Sequence, residues 1–378
     1  MQVEGWSHSK LADVASKKIV YGIVQAGEHD EAGMPYIKSS DVGSAIQPEG
    51  LAKTALTIHQ KYHRSTVHPG DIVFSLRGNT GATSIVPSDL PEANLTQGTA
   101  RVSVAEEFDN RFVRYVLASD IAMRQVLAVA KGSTFTEVSL DALRKITLPH
   151  PPLPEQRKIA DILSTWDAAI EKTEALLATA RTQKRALMQQ LLTGKRRFSE
   201  FEGQPWQEVR LGEVCDPKQW TTIAGKNMTE TGFPVYGANG HIGFFSEYNH
   251  EDETIAVGCR GVCGSVHLTP PKSYITGNSM ALDQVDPSKA VVRFLFQYLT
   301  YFGFRDIVSG SAQPQITGRA IKAYRLSLPP VEEQKRVADL LQAADDEVKW
   351  IKTEITKLRT EKKALMQQLL TGKRRVVV

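Results

Sequence analysis

The chain has 378 residues, with 46 Lys and Arg against 42 Asp and Glu, a formal net charge of +4 at pH 7 and 41% apolar residues. These are the proportions of a folded globular protein with room for two or three domains, and they exclude a largely disordered chain. Three cysteines in so long a chain exclude a disulfide framework and fit a reducing cytoplasm, and with no apolar leader or run of about 20 apolar residues neither secretion nor membrane insertion is expected.

Residues 1–150 read as a first globular domain. Trp6, Leu11 and Val14 give it a short apolar edge. Short strands are expected at Met34–Ile37, Ile72–Leu76 (after the turn Pro69-Gly70-Asp71), Thr83–Val86 and Ala100–Val104. A helix is expected from about Asn110 to Ala130, burying Phe112, Val113, Val116, Leu117, Ile121, Val126 and Leu127, and Lys131-Gly132-Ser133-Thr134 breaks it. The pattern is α+β, mainly antiparallel.

Residues 151–197 then read as one long helix. Pro151-Pro152 cannot continue a helix backwards, Pro154 and Glu155 suit its first turn, and Gly194 followed by Lys195-Arg196-Arg197 suits its end. Residues 198–328 repeat the plan of the first domain. Trp206, Leu211 and Val214 follow the order of Trp6, Leu11 and Val14, and Arg260-Gly261-x-x-Gly264 answers Arg77-Gly78-x-x-Gly81. Gly277 is matched to Gly98, and a helix near 289–307 to the one near 110–130. Between these landmarks the halves differ, and Tyr236–Gly243 has no evident counterpart.

Residues 329–378 form a second long helix. ALMQQLLTGKRR occurs at 186–197 and again at 364–375, a shift of 178, and in the same register Glu155-Gln156 answers Glu333-Gln334 and Asp167 answers Asp345. Forty residues in each helix would make a rod about 60 Å long. Apolar positions spaced by four and three form a seam of period 3.5: Ile159, Leu163, Trp166, Ile170, Thr173, Leu177, Ala180, Lys184, Leu187 and Leu191 in one helix. Val337, Leu341, Ala344, Val348, Ile351, Ile355, Leu358, Lys362, Leu365 and Leu369 form it in the other. The simplest partner for each helix is the other one. The expected architecture is thus two mainly antiparallel α+β globules separated by an antiparallel coiled coil, with pseudo-twofold symmetry and the charges of Lys184 and Lys362 snorkelling outward.

The duplicated Pro-Pro-(Leu/Val)-x-Glu-Gln starts at Pro151–Gln156 and Pro329–Gln334, the two Leu-Leu-Thr-Gly-Lys-Arg-Arg ends, and Gly310-Ser311-Ala312-Gln313-Pro314-Gln315-Ile316 together resemble the DNA-specificity subunit of type I restriction–modification systems, along the whole chain. Gly132-Ser133-Thr134-Phe135-Thr136 departs from the Gln-Pro-Gln form. The resemblance implies two target-recognition domains, each reading half of a bipartite double-stranded DNA sequence, with the paired helices setting the distance between halves. It implies no active site and no cofactor in this chain. Two methyltransferase (M) subunits would bring S-adenosylmethionine, and restriction (R) subunits ATP and Mg.

Other chemistry finds little support in the sequence. Thr193-Gly194-Lys195 and Thr371-Gly372-Lys373 lack the upstream glycine-rich loop of a nucleotide-binding site. Cys259, Cys263 and His267 have zinc-ligand atoms at an atypical spacing, with small buried residues of a strand as the simpler reading, and Asp216-x-Lys218 lacks the carboxylates of a nuclease. Polar and basic loops of the kind that contact phosphates and base edges remain. In the first domain they supply Lys38, Ser39, Lys61, His63, Arg64, Arg77, Asn79, Thr80, Lys131, Ser133 and Thr134. In the second they supply Lys218, Trp220, Thr221, Asn239, His241, Arg260, Ser311 and Gln313. The alternative reading is a non-enzymatic coiled-coil scaffold whose two globules bind proteins or glycans. Steep weakening of DNA binding by salt would separate the two.

Overall fold

A computed structural model describes residues 4–129, 137–310 and 314–377. They fall into two compact units, one of Met1–Thr173 with Glu354–Val378, the other of Glu174–Thr353.

In the first unit the strands are β1 (Ser7–Lys10), β2 (Val20–Tyr21), β3 (Met34–Ile37), β4 (Lys53–Thr54), β5 (Ile72–Ser75), β6 (Thr83–Ile85), β7 (Asn94–Leu95), β8 (Thr99–Val102) and β9 (Thr147–His150). The helices are α1 (Leu11–Val14), α2 (Leu56–Lys61), α3 (Asn110–Leu117), α4 (Asp120–Val129), α5 (Leu140–Lys145) and α6 (Leu153–Leu192), whose second half passes into the other unit. The sheet orders are β2-β8-β5-β6, β4-β3-β7 and β1-β9. All pairs are antiparallel except β3–β7. The strands expected at 34, 72, 83 and 100 are present. The single helix expected over 110–130 is two, because Ser119 divides it: its Oγ donates to the Val116 carbonyl (2.6 Å) and accepts from the Ile121 N–H (3.3 Å), closing α3 and opening α4. Lys131, Ser133 and Thr134 lie outside the described residues.

The second unit repeats this topology strand for strand. Its strands are β10 (Gln207–Arg210), β11 (Asp216–Gln219), β12 (Phe233–Gly237), β13 (Gly240–Phe245), β14 (Thr254–Gly258), β15 (Val266–Thr269), β16 (Tyr274–Ile275), β17 (Ser279–Asp283) and β18 (Arg325–Leu328). Its helices are α7 (Val292–Phe302), α8 (Gly318–Ala323) and the first half of α9 (Val331–Leu369). The orders β11-β17-β14-β15, β13-β12-β16 and β10-β18 match those of the first unit, and β12–β16 is again the parallel pair. The Tyr236–Gly243 segment thus has a counterpart after all, in β3 and β4. The helix expected over 289–307 ends earlier, at Gly303 (φ 69°).

Each unit draws its core from both long helices. Ile159, Ala160 and Leu163 of α6 and Leu369 and Leu370 of α9 join the core of Trp6, Leu11, Phe74 and Phe112. Val337, Ala338 and Leu341 of α9 and Met188, Leu191 and Leu192 of α6 join the core of Leu211, Phe294 and Phe304. A fully buried Leu contributes about 1.5–3 kcal/mol, so these ends are firmly held. Every seam position is buried or half-buried.

The duplicated motifs close these contacts. Arg375 Nε and Nη2 donate to the two oxygens of Glu155 at 2.8 Å each, and Arg197 Nε and Nη2 donate to those of Glu333 at 2.9 and 2.5 Å. Lys362 pairs with Asp167, and Lys184 with Asp345. Position rises along one helix as it falls along the other, so the two segments run antiparallel within each unit. The lysine charges do not snorkel to solvent as expected: an aspartate one residue past a seam position of the other helix, Trp166 for Lys362 and Ala344 for Lys184, takes each. Tyr115 Oη donates to Asp167 (2.6 Å), and Gln297 Nε2 to Asp345 (2.8 Å). Burial and this bond push the Tyr115 phenol up to about 12. Against the opposing effect of burial, bonds from Lys362 and Tyr115 hold the Asp167 carboxyl below its ordinary range.

The motif glutamines orient each globule on its helix. Gln156 Oε1 accepts from Asp109 N (3.0 Å) while its Nε2 donates to the Pro151 carbonyl (2.9 Å). Gln334 does the same with Val291 N and the Pro329 carbonyl (2.9 Å each). Both are buried, so these bonds replace water that cannot reach them.

Candidate nucleic-acid interface

The Arg-Gly-x-x-Gly segments form the same turn in both units, between β5 and β6 and between β14 and β15. Gly78 and Gly81 have φ of 78° and 86°, and Gly261 and Gly264 of 77° and 82°, a backbone that favours glycine. Gly81 N donates to Ser75 O (2.9 Å), and Gly264 N to Gly258 O (2.8 Å). Register then sets Thr99 opposite Ser75 and Ser279 opposite Gly258. The residue matching Gly98 is therefore Asn278, one beyond the glycine the sequence suggested.

In the first unit this turn borders a cavity of about 680 Å³. Lys38, Ser39 and Arg77, three of the first-domain candidates, line it, and so do Tyr36, Gln97 and Glu137, which sequence reasoning missed. Gln97 was hidden because its significance comes only from lining, two residues before β8, the same cavity as Arg77. Arg77 is half-buried, and its side chain has no hydrogen-bond or ion-pair partner among the described residues. Ser39 and Asn79 serve the loops themselves. Ser39 Oγ donates to Gly98 O (3.0 Å), and Asn79 Nδ2 to Val42 O (2.9 Å). Lys61, His63 and Arg64 are exposed on and after α2 and do not line the cavity, and Thr80 is half-buried on the turn.

In the second unit, the hairpin tip between β12 and β13 packs on the corresponding turn: Ser265 Oγ donates to Ala238 O and to Val262 O (3.2 Å). Exposed Asn239 and His241 flank that tip, and exposed Arg260 begins the turn. Gln219 Nε2 donates to Gly277 O (2.8 Å), which ties the end of β11 to the same region. Lys218 and Thr221 are exposed beside half-buried Trp220, and the Lys218 ammonium lies 4.1 Å from the Trp220 ring centroid. Ser311 and Gln313 lie outside the described residues.

The thiols have protein partners. Cys259 Sγ donates to Asn278 O (3.2 Å) and Cys263 Sγ to Pro314 O (2.9 Å). Burial pushes the thiols of Cys259 and Cys263 up, and that of Cys215 to about 12, which disfavours the thiolate a metal would take. No group of three or more His, Cys, Asp or Glu side chains is gathered as a metal site among the described residues. No helix among them is long and apolar enough to cross a membrane.

Duplicated scaffold, duplicated turn and divergent loops define a protein class by themselves, and known proteins share them. A family model described as the type I restriction modification DNA specificity domain matches residues 3–179 and 203–360. The chain belongs to this family and carries its domain in two copies. A putative type I restriction enzyme MjaX specificity subunit from Methanocaldococcus jannaschii is 28% identical over 271 residues, 64% of this chain and 62% of that protein. The type I restriction enzyme EcoprrI specificity subunit of Escherichia coli is 26% identical over 245 residues, 60% of this chain and 59% of that one. The match thus spans about three-fifths of these relatives' length. A crystal structure of the type I restriction–modification S subunit from M. genitalium superposes with a TM-score of 0.68 at 19% identity, covering 97% of this chain and 96% of that one. A chain from a study of complex assembly and conformational transition of the type I R-M system gives 0.59 at 19% identity, covering 98% and 99%. These likenesses show the fold. The scaffold reading for proteins or glycans gains no support from any of them.

Proposed function

We propose that this chain is the DNA-specificity subunit of a type I restriction–modification complex, each unit reading one half of a bipartite duplex target. The observation that carries this is the same Arg-Gly-x-x-Gly turn in both units, begun by Arg77 in one and Arg260 in the other, with different side chains in the neighbouring loops: Lys38 and Gln97 in the first unit, Lys218, Trp220 and His241 in the second. A shared frame with divergent readers suits a target whose halves differ. Arginine and glutamine match guanine and adenine edges in the major groove, while lysines grip phosphates. The exposed Lys61, His63 and Arg64 then serve as phosphate contacts.

On this reading the chain is not itself an enzyme. Two M subunits bring S-adenosylmethionine, R subunits bring ATP and Mg, and the complex works in the cytoplasm. The helices set the length of the unread spacer between halves. Mapping methylated sites in cells that carry this chain and its methyltransferase tests the proposal. A bipartite motif is expected, and a continuous motif or none refutes it. A second check is salt, since DNA binding through several phosphates must weaken steeply as salt rises.

A further inference from the structure

A buried hydrogen-bonded chain stands behind β11, and the function proposed above gives it no task. His250, in the loop between β13 and β14, is 8% exposed. Its Nε2 lies 2.9 Å from Asp283 Oδ1 and its Nδ1 2.6 Å from Asn249 Oδ1. The Asn249 amide has one orientation, because Oδ1 accepts from Ile275 N (2.8 Å) while Nδ2 donates to Ile275 O (3.1 Å). Both ring nitrogens therefore face acceptors. Asp283 Oδ2 accepts in turn from Trp220 Nε1 (3.0 Å), and the imidazole meets the indole edge to face, centroids 5.2 Å apart. The indole packs on Ala256, Ile275 and Ala281, with the Lys218 ammonium over it. Other charges nearby are already paired: Asp216, opposite Asp283 in register, with Lys322 at 2.7 Å, and Glu251 with Lys272 at 3.8 Å.

The scaffold does not require this chain of bonds. Register matches Lys218 to Val20 and Ala281 to Arg101, which sets Gly22 where Trp220 stands. The first unit builds the same sheet with Arg101 there, donating to Thr66 O (2.8 Å). What the chain does fix is the indole, and with it the exposed Lys218 and Thr221 on either side.

We infer that His250 is a positioning residue for the second half of the target: clasped between Asp283 and Asn249, it sets the angle of Trp220 and the place of Lys218, and so the discrimination that unit achieves. The inference rests on β11 being a DNA reader, as proposed above. The test uses the full chain with its methyltransferase partner, and duplexes carrying the mapped target or one substituted base pair in either half. His250→Ala lowers discrimination in the second half by on the order of tenfold, the size of one lost base contact, and leaves the first half unchanged. Asp283→Asn keeps an oxygen for Trp220 and turns its amide to the ring, so it retains second-half discrimination, whereas Asp283→Ala, which leaves the ring and the indole without that partner, lowers it as His250→Ala does. Unchanged discrimination in His250→Ala, with Trp220→Ala lowering it, overturns the inference alone. If Trp220→Ala also has no effect, β11 is not a reader and both readings fall. If His250→Ala does not fold, the Asp283 variants decide, and equal second-half discrimination in Asp283→Asn and Asp283→Ala overturns the inference.

Discussion

Arg197→Ala separates two accounts of the Thr-Gly-Lys-Arg-Arg ends. If these arginines only complement a helix dipole, each is worth about 0.3–1 kcal/mol. The structure gives Arg197 a larger part, because its guanidinium holds both oxygens of Glu333, a side chain only 1% exposed. Removing one partner of a buried pair costs ~3–5 kcal/mol, since the other charge is left without compensation. Arg197 is itself 16% exposed, so water reaches part of the pair and the lower end, about 3 kcal/mol, applies. With a urea slope of about 2 kcal/mol per molar for a unit of this size, the midpoint should fall by roughly 1.5 M. Trp206, whose ring packs beside Gly194, reports the transition by fluorescence. Replacing both partners by apolar residues, Arg197→Met with Glu333→Leu, should recover most of the loss. A single-variant shift below about 0.5 M would leave dipole capping sufficient and refute the buried-pair account. The twin change, Arg375→Ala, should cost less, because that arginine is 45% exposed.

Arg77→Ala should relax the first half-target alone and Arg260→Ala the second alone, by about 1–3 kcal/mol each in competition binding, and loss in both halves from either change would argue against independent reading. Exchange of residues 198–328 for another reader should likewise alter only one half of the methylated motif. The first unit should lose stability in acid: Asp167 is held below its ordinary range, so its contribution is present above about pH 4 and disappears as pH falls through the folded value. Asp167→Asn should flatten that part of the acid-unfolding curve. Four residues added within 172–183, with four within 350–361, should lengthen each helix by about 6 Å, and at ~3.4 Å per base pair the spacer should grow by about one or two base pairs, as methylation mapping can show.

The long helices were legible because a seam of fixed period and proline and glycine boundaries act locally, within a turn or two of the residues that cause them. The four strands expected in the first domain were legible for the same reason. What could not be read was whatever depends on partners far apart in the chain. Arg375 and Glu155 are 220 residues apart, and only the fold brings them together. The dipole account was therefore the local half of a longer story. The same limit hid Gln97, His250 and Asp283, each ordinary in its own stretch and meaningful only opposite its neighbour. The match between Tyr236–Gly243 and β3–β4 was invisible because sheet order is carried by backbone pairing, which two unrelated sequences can share. Lys38, Ser39 and Arg77 could be singled out because a glycine turn and a basic loop announce themselves without long-range information; that they share one cavity could not.

One detail of the arginine sockets reaches further. Arg197 Nη1 donates to Gln204 O (2.5 Å), and Trp206 follows two residues on. In the other unit Arg375 Nη1 donates to Glu4 O (2.7 Å), and Trp6 follows two residues on. The same junction is made twice, once with a carbonyl seven residues away in the sequence and once with one 371 residues away. Each socket therefore holds its carbonyl through the guanidinium, whatever the length of chain between them. A chain rejoined across the second junction and opened at the first would meet the same sockets in a different covalent order.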